Sequence, residues 1–293
     1  MKSPAQREAS FVISKPFGGT GVAVAAIGQG TWDLPESGRA RAEAMHALRR
    51  GVELGMTHID TAEMYGAGAV EEMVGEALSG IPRETLFVTT KVLPENASYK
   101  GTIAAAERSL RRLKMEYVDL YLLHWPGSHP IAETMRGLEE LVAQGKGRNV
   151  GVSNFDVDGV REAQAALRSV KLAANEVFYS PAERGPEAQL IPYCREHAIA
   201  FIGYTPFARG RVLRKGSAGE GVVRKIAMKH HKTPRQVVLN FLTREPHLFT
   251  IPKASTIAHV EENAGGAGWN LDDNDVRAID DAFPVVEGPL ATL

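Results

Sequence analysis

One cysteine, Cys194, is all the chain has, so it can form no internal disulfide and its composition fits a reducing compartment. Cys194 falls in a helix-like segment and reads as a small core residue. A net excess of either charge is also missing. The formal net charge is -1, which gives no field to draw nucleic acid or an acidic membrane. No apolar run reaches the roughly 18 residues of a membrane span. The opening Met1-Lys2-Ser3-Pro4 lacks the apolar stretch of a signal peptide. These absences lead us to expect a soluble, cytoplasmic protein with no nucleic-acid or membrane partner.

Apolar residues make up 44% of the 293 positions, enough for a large core. The length is generous for an average domain and ordinary for a barrel. No shift of composition and no Pro/Gly linker divides the chain, so residues 1–293 read as a single domain. Residues 1–9 read as a frayed start. Residues 10–14 and 22–27 are extended, and Pro16-Phe17-Gly18-Gly19-Thr20-Gly21 between them is turn chemistry, which predicts a hairpin. A nucleotide-binding glycine loop would need a helix after these glycines, where another strand follows.

A rhythm then sets in. Short apolar runs at 24–27, 58–60, 86–90, 118–122, 149–152, 174–177, 200–204 and 248–251 alternate with helical periodicity. The predicted helices lie at about 39–54, 68–79, 99–113, 131–144, 157–168, 187–197, 233–245 and 257–264. In the third, Ile103, Ala106, Leu110 and Leu113 make one apolar stripe. Strand then helix, repeated around the chain, predicts an α/β protein built as a (β/α)8 TIM barrel. The hairpin precedes it, and a helix at 272–281 with a Pro/Gly loop follows it, placed to cover the mouth.

Such barrels carry their active sites at the carboxyl ends of the strands. The second run ends in Asp60, with Tyr65 on the following loop. The third runs into Lys91 and the fourth into His124. An unperturbed phenol titrates near ~10 and is a poor acid at neutral pH. An ammonium beside it favours the phenolate, and Asp60 would hold that ammonium in place. His124 would hydrogen-bond the same substrate oxygen. The set suits proton delivery to an oxygen gaining negative charge as hydride adds to a carbonyl. None of the four donates hydride, so a cofactor is required.

These motifs resemble the aldo-keto reductases over nearly the whole chain. The matching stretches are Gly28-Gln29-Gly30-Thr31-Trp32, His58-Ile59-Asp60-Thr61-Ala62 with Tyr65-Gly66, Val88-Thr89-Thr90-Lys91-Val92, Leu120-Tyr121-Leu122-Leu123-His124-Trp125-Pro126, Gly151-Val152-Ser153-Asn154-Phe155 and Ile251-Pro252-Lys253. The resemblance is to bacterial members acting on small aldehydes. It implies NADPH bound along the strand ends, with NADH as a second possibility. It implies Tyr65 as proton donor, with Asp60, Lys91 and His124 in support. It places Ser153 and Asn154 on the carboxamide and Tyr204 against the nicotinamide ring. Thr205, Pro206, Phe207, Arg209 and Gly210 fall on the pyrophosphate, and Lys253, Ser255, Glu262 and Asn263 at the adenosine end. Trp32 and Trp125 become walls for a small carbonyl substrate, for which methylglyoxal is an example. A monomer is the default.

Three positions depart from the family pattern. Glu176 replaces the usual glutamine, and a carboxylate there would favour the oxidised, positive ring. His259 replaces an arginine near the 2′-phosphate, which predicts an NADPH preference that weakens as pH rises. Arg209 replaces a smaller or neutral residue. Two other functions fit parts of the pattern. Some relatives are regulatory subunits that bind the nucleotide with little turnover. Metal-dependent hydrolases also use an HxD strand, but they need more ligands at later strand ends. Here those ends offer Ser153-Asn154 and Asn175-Glu176 without a histidine, so no metal is expected.

Overall fold

Eight parallel strands make one sheet in the computed structural model, which describes residues 12–292. A small hairpin, β1 (Ser14–Pro16) and β2 (Ala23–Ala25), precedes it. The sheet consists of β3 (Gln29–Gly30), β4 (His58–Asp60), β5 (Phe87–Val92), β6 (Val118–Leu123), β7 (Gly147–Ser153), β8 (Leu172–Phe178), β9 (Ala200–Tyr204) and β10 (Leu248–Thr250). Each strand pairs with the next in sequence. The ring closes where Ile27 pairs with Thr250 and Gly30 with Lys253, both in parallel. Gly28 N–H donates to Thr250 O at 2.8 Å and Thr250 N–H to Ala26 O at 2.9 Å. The (β/α)8 barrel expected from the repeat is the fold observed.

The strands are buried on both faces, which is why they read as apolar runs and not as alternating patterns. Around them lie α1 (Gly38–Glu53), α2 (Ala69–Ala77), α3 (Tyr99–Leu113), α4 (Ile131–Ala143), α5 (Val157–Ala166), α6 (Leu190–Glu196), α7 (Ala218–Lys229), α8 (Pro234–Leu242), α9 (Ile257–Ala264) and α10 (Asp273–Ala282). Local chemistry sets their ends. Ser98 Oγ accepts from Gly101 N–H at the start of α3, and Thr233 with Gln236 forms a capping box before Pro234 of α8. In α3 the stripe is buried at Ala106, Leu110 and Leu113 and half-buried at Ile103.

Two elements differ from the sequence reading. The first barrel strand is Gln29–Gly30, and the more apolar 24–27 run is spent on the hairpin and on closing the ring. Gln29 is buried and its Nε2 donates to Leu48 O and Met56 O, so its amide N–H groups are paired inside the barrel wall. The second difference is α7, a helix the periodicity does not reveal. The first hairpin strand is Ser14–Pro16; residues 1–11, which include the frayed start and the opening of the extended run at 10–14, lie outside those described.

The hairpin has a mechanical role. Phe17 at its turn is fully buried, with its ring 4.9 Å from Phe87, 5.0 Å from Phe249 and 6.3 Å from His58. His58 and Phe87 open their strands, so Phe17 plugs the amino-terminal end. The opposite end is left for chemistry.

Candidate active site

Asp60 closes β4, Lys91 is the penultimate residue of β5, and His124 follows β6. Tyr65 opens a short helical turn (Tyr65–Gly68) after β4, with its N–H bonded to Ala62 O. Parallel neighbours thus bring all four to one end. Lys91 Nζ lies 2.5 Å from Asp60 Oδ1, 3.1 Å from Thr61 O and 3.4 Å from Tyr65 Oη. The rings of Tyr65 and His124 meet edge-on at 5.8 Å between centroids.

Burial dominates the electrostatics. Burial lowers the His124 imidazole to about 2, helped by Lys91, so the ring is neutral. It also raises the Tyr65 phenol above its ordinary value, and the nearby Lys91 only partly offsets this. From sequence Lys91 was expected to win, because the cost of a phenolate in a dry site is not visible there. The Tyr65 phenol therefore keeps its proton. Burial alone would lower Lys91, but the carboxyl groups around it outweigh that and hold it charged.

The tetrad faces a cavity of about 710 Å³, within the ordinary range for a cofactor or ligand site. Its walls include Asp60, Tyr65 and His124 together with Trp32, Met64 and Trp125. Ser153 and Asn154 enter from the end of β7, Glu176 from β8 and Tyr204 from β9. Asn154 has a left-handed backbone, φ 64°. Its amide donates to His124 O at 3.0 Å and accepts from Tyr204 Oη at 2.8 Å. Phe178 stacks at 5.8 Å on Tyr204 and fixes its ring plane.

The loop after β9 supplies the next wall, with Thr205, Pro206, Phe207, Arg209 and Gly210. Thr205, Ala208 and Arg209 hold φ of 53°, 47° and 53°, unusual for residues with a Cβ and most of all for a β-branched one. Such a loop turns backbone N–H groups toward one side, as anion sites do. The Arg209 guanidinium sits 5.2 Å over the ring of Trp32, which is 43% exposed.

The far wall holds Lys253 and Arg235. Arg235, on α8, does not stand out in the sequence, where nothing ties the start of that helix to the strand ends. Its guanidinium lies 4.6 Å over the Phe207 ring, with Glu262 at 3.8 Å. Ser255, His259, Glu262 and Asn263 are not among the cavity's lining residues. His259 is exposed on the first turn of α9, and Asn263 is buried beneath it. Residues 287–290 of the tail line a neighbouring cleft that shares Asn154, rather than the mouth itself.

Glu176 lies 3.3 Å from Lys91 through Oε1 and is buried. Burial pushes its carboxyl well above the usual range. Asp60 adds to this and Lys91 only partly offsets it. Sequence alone does not bring Asp60 and Lys91 to Glu176. Among the described residues no group of three His, Cys, Asp or Glu is arranged to hold a metal.

A family model described as "Aldo/keto reductase family" matches residues 26–283, and the chain belongs to that family. It is an NAD(P)H-dependent oxidoreductase. Over 270 residues the chain is 42% identical to the methylglyoxal reductase YeaE of Escherichia coli (strain K12), covering 92% of this chain and 95% of that one. Over 240 residues it is 36% identical to a glyoxal reductase of Bacillus subtilis (strain 168), covering 81% and 83%. Among solved structures, an aldo/keto reductase from Klebsiella pneumoniae in complex with NADP and acetate superimposes with a TM-score of 0.90. It is 37% identical, over 96% of this chain and 100% of that one.

Proposed function

We propose that this protein reduces small aldehydes, 2-oxoaldehydes such as methylglyoxal among them, with NADPH, and that Tyr65 delivers the proton. The observation that carries the reading is the buried contact of Lys91 with both Asp60 and Tyr65 at the floor of the cavity. The names of the Escherichia coli and Bacillus relatives and the NADP in the Klebsiella structure support it.

Bound nicotinamide would supply the hydride. Ser153, Asn154 and Glu176 would hold its carboxamide, Tyr204 its ring face, and the strained loop of Thr205, Pro206, Phe207, Arg209 and Gly210 its pyrophosphate. Lys253 and Arg235 fit the 2′-phosphate as point charge and fork. His259, Ser255, Glu262 and Asn263 lie behind that edge. The tetrad fits the remaining step. The carbonyl oxygen accepts from His124 and Tyr65, and the Tyr65 O–H proton passes to it as negative charge develops. Lys91, held by Asp60, stabilises the phenolate left behind. Trp32, Met64 and Trp125 form apolar walls suited to a small substrate.

The test is NADPH oxidation by the purified protein against a panel of aldehydes, ketones and sugars. Turnover with small 2-oxoaldehydes above that with sugars is expected. Binding of NADPH without turnover on any member would instead favour a nucleotide-binding subunit of the same fold. The same reading takes the protein as a monomer of the cytoplasm, and light scattering in solution tests the first part.

A further inference from the structure

Two carboxyl groups share one ammonium in the driest part of the molecule. Lys91, Asp60 and Glu176 are 0%, 1% and 2% exposed. Lys91 Nζ lies 2.5 Å from Asp60 Oδ1 and 3.3 Å from Glu176 Oε1, with Thr61 O at 3.1 Å and Tyr65 Oη at 3.4 Å, so Asp60 has the shortest contact. Asp60 Oδ2 and Glu176 Oε2 are both buried, and neither accepts from any donor among the described residues. Two ionised carboxylates would leave this set with an uncompensated negative charge and two unpaired oxygens, which is costly in a dry site. One proton between them removes both costs. It resides on Glu176, because Asp60 has the closer hold on the ammonium. The rise in Glu176's affinity for its proton, to which Asp60 adds, agrees with this.

The nearby titratable groups come from three neighbouring strands and the loop after β4. From β4 comes Asp60, from β5 Lys91, from the loop after β4 Tyr65, and from the end of β6 His124, which is neutral. The walls from β7 and β9 contribute the uncharged Ser153, Asn154 and Tyr204.

We propose that Glu176 is a neutral acid donating to Asp60 Oδ2, and that it ionises when an oxidised, positively charged nicotinamide ring lies against it, so that Glu176 sets the relative hold on the two cofactor forms. This rests on the nicotinamide position proposed above. In the ionisation the Glu176 O–H bond breaks, its electron pair stays on Oε2, and the proton leaves to solvent. The new carboxylate then balances the ring's positive charge. The reduced ring is neutral and leaves the proton where it is. A glutamine at this position has no proton to lose.

Two measurements test this. In the nucleotide-free protein, the infrared difference between wild type and Glu176→Gln should contain a protonated carboxylic-acid C=O band that shifts in D2O. A carboxylate band in its place overturns the proposal. Calorimetry of NADP+ and NADPH binding in buffers of different ionisation enthalpy reads the protons released. Wild type should release up to about one proton more with NADP+ than with NADPH at some pH between about 6 and 9. That excess should vanish in Glu176→Gln, whose NADP+ affinity should fall relative to NADPH. It should persist in Tyr65→Phe, since the phenol is the other possible proton source. Equal release with both nucleotides in wild type, or an excess that Glu176→Gln keeps and Tyr65→Phe loses, overturns it. Failure of either nucleotide to bind would overturn the cofactor site itself, and the infrared band alone would then decide whether Glu176 holds the shared proton.

Discussion

Lys91 Nζ stands 2.5 Å from Asp60 Oδ1 with both groups out of water. An ion pair this deep is costly to break from one side, because the remaining charge is stranded. Lys91→Met should lower stability by about 3–5 kcal/mol and abolish reduction. Lys91→Met with Asp60→Asn should recover most of the stability and none of the activity. Chemical denaturation and NADPH oxidation on the two variants separate these effects. A double variant no more stable than the single one would show that Asp60 is not the stranded partner.

Glu176 carries a stability signature of its own. Its folded carboxyl binds a proton more tightly than its ordinary value of 4.5. Above that pH the folded state therefore holds a proton the unfolded chain has lost, and stability falls as pH rises until the folded group itself ionises. Glu176→Gln has no such penalty. Its stability should match wild type near pH 4 and exceed it increasingly above, by at most about 1.4 kcal/mol per pH unit. Denaturant midpoints across that range check the sign. A gap that stays constant with pH would place the proton elsewhere.

Cofactor choice should follow Arg235 more than His259, since Arg235 lines the cavity and His259 does not. Arg235→Gln should weaken NADPH binding by about 1 kcal/mol, roughly fivefold, and leave NADH nearly unchanged. His259→Arg should gain little, and the NADPH preference should show the same dependence on pH in wild type and in His259→Arg. The dissociation constants of both nucleotides in the three proteins decide it. A preference in wild type that fades with rising pH, and one in His259→Arg that does not, would restore His259 as the phosphate reader.

Phe17 links a loop far from the active site to the barrel's integrity. It packs on Phe87 and Phe249 at ring distances of 4.9 and 5.0 Å. Phe17→Ala should cost about 3–5 kcal/mol with kcat per folded molecule little changed. A loss of activity in the fully folded variant would mean that the plug positions the strand ends as well.

The barrel is legible because strands covered on both faces leave unbroken apolar runs, most of them ending near a polar residue. Gln29–Gly30 leaves no such mark: it is two residues long, and its side chain is satisfied by backbone oxygens that sequence does not reveal. Helix α7 hides behind Gly216, Gly219 and Gly221, although Val223, Ile226 and Ala227 are buried at helical spacing. The tetrad can be read because each member sits at or near a strand end. What sequence does not carry is distance. The burial that raises the proton affinity of Tyr65 and Glu176 and the approach of Arg235 to Phe207 both come from elements far apart in the chain.

The most direct test of Tyr65 as proton donor is a single turnover with NADPH and methylglyoxal in wild type and Tyr65→Phe, following loss of NADPH absorbance after mixing. The phenyl ring fills the same space and lacks only the proton. Nucleotide affinity should be preserved, while the rate of hydride transfer should fall by about 10²–10⁴-fold. Hydride transfer in Tyr65→Phe at a rate close to wild type would contradict the assignment.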